Sequence, residues 1–77
     1  MYCLYRKNQN DPVITLMAIT GTRKAIEEVR NYMSAGQPEC KFAILRMSVM
    51  PLLEIDLREL VNPHLNLIEV EKILCFH

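Results

Sequence analysis

Two runs of this chain can be strands only if both of their faces are covered. Residues 12–20 (PVITLMAIT) place Val13, Thr15, Met17 and Ile19 on one face of an extended segment and Ile14, Leu16 and Ala18 on the other, because strand side chains alternate with period two. Residues 40–49 (CKFAILRMSV) are apolar on both faces apart from Lys41, Arg46 and Ser48. Such strands belong at the centre of a sheet, or in a sheet whose second face meets another element or another chain.

The remaining elements follow from punctuation. Residues 1–7 are rich in tyrosine and apolar residues, and the polar stretch Asn8-Gln9-Asn10-Asp11 separates them from the first two-faced run, so the chain opens as strand, turn, strand. Thr20-Gly21-Thr22 stops the second strand. Thr22 is placed to cap a helix over residues 23–35, where Ala25, Ile26, Val29 and Met33 form an apolar stripe and Lys24, Glu27, Glu28 and Asn31 the opposite side. Gly36 would take the left-handed position past its end, and Pro38 prevents continuation.

Residues 51–61 (PLLEIDLRELV) fit two periods. As a strand, Leu53, Ile55 and Leu57 alternate with Glu54, Asp56 and Arg58; as a helix, Val49, Leu52, Leu53, Leu57 and Leu60 make a stripe. Three features favour the helix: Ser48 as a cap, Pro51 in the first turn, and Glu54 four residues before Arg58. Asn62-Pro63 ends the element, and residues 66–76 (NLIEVEKILCF) read as a last strand. The resulting β-β-α-β-α-β order predicts a single α+β domain over 1–77. Its expected form is a two-layer sandwich of about four antiparallel or mixed strands with both helices on one face. If the first two strands act as one interrupted edge, the order approaches a ferredoxin-like split β-α-β unit, a likeness that carries no function.

Size limits the chemistry. The chain has 77 residues, 51% of them apolar, and a two-layer domain this small rarely encloses the ~300 Å³ of a drug-sized pocket. His64 and His77 have no partners at metal spacing. A Cys75/His77 pair supplies two zinc ligands where a structural site wants about four. Cys3, Cys40 and Cys75 are odd in number and form neither a disulfide framework nor a C-x-x-C motif. The expectation is no catalytic residue, no metal, no cofactor and no enzyme activity. No leader or membrane span is read in the sequence, which suggests a reducing, cytoplasmic setting.

Charge is balanced overall but sorted along the chain. Residues 1–46 carry seven cations against four anions, and residues 47–77 two cations against five anions. Glu54, Asp56, Glu59, Glu69 and Glu71 are therefore a candidate acidic patch for a basic partner. Thr20, Gly21, Thr22, Arg23 and Lys24 set hydroxyls, a glycine and cations at a strand-to-helix junction, where a helix N-terminus can hold an anion, although no P-loop or dinucleotide motif is present.

Two-faced strands, sorted charge and the lack of a catalytic constellation predict a non-catalytic protein-protein interaction module. It would be a small adaptor or inhibitor of the kind phages and mobile elements encode, docking on another protein or on a second copy of itself through a sheet face or edge. The alternative is a nucleic-acid-associated regulator using Thr20 to Lys24 and Lys41 to Arg46. It is disfavoured by zero net charge and by the lack of aromatic residues interleaved with the cations.

Overall fold

The computed structural model describes residues 1–60. They form β1 (Tyr2–Lys7), β2 (Val13–Thr20), α1 (Arg23–Gly36), β3 (Lys41–Arg46), β4 (Glu54–Asp56) and α2 (Leu57–Leu60). The sheet order is β3-β1-β2-β4, and every neighbouring pair is antiparallel. The α+β class, the first three strands and the first helix match the expectation. The proposed strand at 66–76 lies outside the described residues.

The β1–β2 turn is built by its amides. Asp11 N–H donates to the Asn8 carbonyl at 3.1 Å, and Asn10 sits between them at φ 65°. Asn tolerates that left-handed conformation better than most residues. The Asp11 carboxylate then accepts from Val13 N–H at 2.9 Å, which starts β2.

The strict alternation expected for β2 fails at one residue. The pairing steps from Leu4↔Ala18 to Tyr5↔Leu16, so Met17 is an extra residue in a bulge. Side-chain parity reverses there. Met17 and Ala18 both pack in the cluster of Leu4, Ile26 and Phe42, while Ile14 and Leu16 belong to the opposite cluster with Cys3 and Tyr5.

Helix α1 covers the first of these faces through Ile26, Val29 and Met33. Thr22 caps it as expected: its hydroxyl accepts from Ala25 N–H at 3.2 Å. The C-terminus differs from the expectation. Gly36 is the last helical residue and no described glycine has a positive φ; the chain leaves through Gln37 at φ −137°, ψ 66°. Gln37 precedes Pro38, whose ring disfavours helical backbone in the residue before it, so a non-helical Gln37 ends the helix without a left-handed glycine.

Residues 51–60, the described part of that run, are neither one helix nor one strand. After β3, Met47 and Met1 exchange main-chain hydrogen bonds (Met47 N to Met1 O 3.0 Å, Met1 N to Met47 O 3.2 Å), and the chain then crosses from the β3 edge to the outer edge of β2. There Leu16 N–H donates to the Leu53 carbonyl at 2.8 Å, and β4 pairs with Val13–Thr15. The open main-chain groups of β2 recruit this segment as a strand, which outweighs its helical stripe. Asp56 then accepts from Arg58 N–H at 3.0 Å and turns the chain into the single turn of α2. Neither Ser48 nor Pro51 starts a helix.

The two helices do not share a face. Leu57 of α2 is fully buried among Cys3, Tyr5, Ile14 and Ala43, across the sheet from α1. The described chain therefore has three layers. α1 lies on one side of the sheet, and the strap 47–53 with α2 on the other.

The strap surface and the predicted sites

The strap crosses the face carrying Cys3, Tyr5, Ala43 and Leu16. Tyr5 stands up from β1 and its hydroxyl donates to the Leu52 carbonyl at 2.7 Å. Pro51 is buried beneath the strap, and Met47 packs on the Cys3 cluster. Cys3, Tyr5, Ile14 and Ala43 are all at most 1% exposed. Of the two covers the sequence allowed for this second face, another element or another chain, the structure shows an element of the same chain.

The apolar surplus reappears one layer out. With Pro51 turned inward, the strap presents Val49, Met50, Leu52 and Leu53 at 64%, 80%, 65% and 75% exposure. Met1 and Ile19 are also exposed, and Ile19 shares the strap's face as the register partner of Cys3. The sequence places Val49 at the end of a strand or, with Leu52 and Leu53, in a helical stripe, and Leu53 also in a strand alternation. The signal that could have found the strap is Pro51 amid four apolar neighbours, a run that cannot complete a ladder and holds one residue with no N–H.

Of the acidic patch, Glu54 and Glu59 are exposed on β4 and α2. Asp56 is half-buried and held by Arg58 through two contacts, Nε–Oδ1 at 3.0 Å and Nη2–Oδ2 at 2.7 Å. The Arg58 side chain, then its main-chain N–H, hold the Asp56 carboxyl below its ordinary range. Its charge is thus largely answered within the chain. Glu69 and Glu71 lie outside the described residues, as do His64, Cys75 and His77.

The five residues of the candidate anion site do form one junction, and the side chains of Thr20, Thr22 and Arg23 are engaged within it. Thr20 Oγ donates to the Thr22 carbonyl at 2.7 Å, the Thr22 hydroxyl holds Ala25 N–H, and Arg23 pairs with Glu27 at 2.9 Å. Gly21 is exposed and has open space where a Cβ would stand. Lys24 is exposed in the first turn. The junction thus holds a Thr22 cap and two cations at the positive end of the helix dipole.

The cations of residues 1–46, among them those of the nucleic-acid alternative, are spread over the molecule. Arg6 Nη1 donates to Gln37 Oε1 at 2.9 Å. Lys7 is buried, with its ammonium 3.3 Å from the Asn8 carbonyl. Lys41 and Arg46 pair with Lys7 and Tyr2, which places them on opposite faces of β3. The Cys40 thiol lies 3.1 Å from Asn8 Oδ1 and joins the β1–β2 turn to the end of α1. Among the described residues, no three His, Cys, Asp or Glu side chains converge as a metal cluster would.

Compared with family models, with curated proteins and with solved structures, the chain matches none. Among the described residues, no helix is long and apolar enough to cross a membrane.

Proposed function

We propose that this protein is a non-catalytic interaction module whose docking surface is the strap 47–53 rather than the sheet face beneath it. The observation that carries this reading is the outward display of Val49, Met50, Leu52 and Leu53 on a segment fixed by hydrogen bonds at Met47 and again at Leu52 and Leu53. Exposed apolar side chains are common one at a time; a contiguous and ordered group of them marks a contact surface. Methionine suits such a surface because it repacks against varied partners.

Magnitudes define what the strap can do alone. Moving each of these side chains out of water is worth ~1.5–3 kcal/mol, so four supply on the order of 6–12 kcal/mol. Association costs about 4–15 kcal/mol in lost freedom before side-chain ordering. The strap therefore supports a weak complex by itself. A tighter one needs a polar rim, for which Glu59 is exposed on α2, the element that shares the strap's side of the sheet, fitting a partner with basic residues beside an apolar centre. An adaptor or inhibitor role accords with such a surface. Dispersal of the cations over both faces of the sheet gives no comparable support to nucleic-acid binding.

The test compares the full chain with a Met50→Glu/Leu52→Glu variant, after thermal unfolding has shown both to be folded. Light scattering over a concentration series reads self-association, and proximity crosslinking in the source cell reads other partners. The variant should lose the contacts the wild type makes, and those contacts should weaken little between low and moderate salt. Identical association by the two proteins, or steeply salt-dependent binding to DNA or RNA, would overturn the reading.

A further inference from the structure

We draw no further inference here: the strongest candidate, strap-to-strap docking of two copies of this chain with Arg46 and Glu54 as the complementary charges at its two ends, carries nothing because the register with Tyr2 and Thr15 turns both residues to the α1 side of the sheet, and nothing in the structure shows what covers the strap.

Discussion

Tyr5 and Leu52 are 47 positions apart and meet at 2.7 Å, side-chain hydroxyl to main-chain carbonyl, at the point where the strap passes over β1. The ring fills the cluster of Cys3, Ile14 and Ala43, so one residue both packs the second core and fastens its cover. Tyr5→Phe keeps the ring and removes the fastening. Stability should fall by about 1 kcal/mol, the net worth of one such hydrogen bond, with proteolysis of the strap rising at unchanged ring packing. Urea denaturation and limited digestion measure the two effects; a variant as stable and as resistant as wild type would show that the hydroxyl is not what holds the strap.

The same face predicts an alkaline limit. Burial raises the Tyr5 hydroxyl, reinforced by Cys3, and burial raises the Cys3 thiol against the opposing pull of the nearby amino terminus. Both groups have native values above their ordinary 9.0 for the thiol and 10.0 for the phenol, so their protonated forms favour the folded state. Their contribution is complete below about pH 9 and is lost as pH climbs through the raised native values. In Tyr5→Phe the part of this decline that begins near pH 10 should disappear, which denaturation midpoints between pH 7 and 11 will read.

Leu57→Ala tests whether α2 closes the second cluster. Leu57 is fully buried, and its N–H donates to the Pro12 carbonyl at 2.9 Å. Truncation should cost about 2–5 kcal/mol. Ile26→Ala should cost a similar amount on the other side of the sheet, and the double variant, if still folded, should show near-additive losses because the two side chains share no cluster. A coupling well above about 0.5 kcal/mol would mean that the two clusters are one.

The first turn of α1 has no acidic residue, and Lys24 stands exposed where the helix dipole is positive. Lys24→Glu should therefore stabilise the protein by about 0.3–1 kcal/mol at low salt and less at high salt. Thr22→Ala should destabilise it by about 1 kcal/mol through loss of the cap. Thermal unfolding at two ionic strengths reads both.

Much of this architecture was legible because local chemistry and tertiary context agreed. The cap at Thr22 and the turn around Asn10 are decided by residues within three positions of each other. The β4–α2 corner was not legible, since Leu53, Ile55 and Leu57 suit a strand and Leu53, Leu57 and Leu60 a helix equally well, and the decision rests with open main-chain groups on β2, a distant segment. The bulge at Met17 left no local mark either; it reversed the face assigned to Ile19. The candidate site moved for the same reason. Excess apolar character was readable from composition, but which layer would display it depended on the path of the strap.

Asp56 offers a test at the acid end. Arg58 and its N–H lower the Asp56 carboxyl below its ordinary 3.8, so the ionised form favours the folded state. That contribution is present above about pH 3.8 and fades as pH falls through the depressed native value. Asp56→Asn should remove this acid-side dependence and loosen the start of α2, which amide exchange at Arg58 would report; exchange as slow as in the wild type would mean that the carboxylate does not hold the corner.

Leu4 and Tyr5 are consecutive, yet each is sealed inside a different cluster. From Cys3 to Tyr5 the central strand thus has no side on which a polar replacement would find water, and a saturation scan should meet its least permissive stretch there. Three consecutive letters, Cys3, Leu4 and Tyr5, therefore govern both interiors at once.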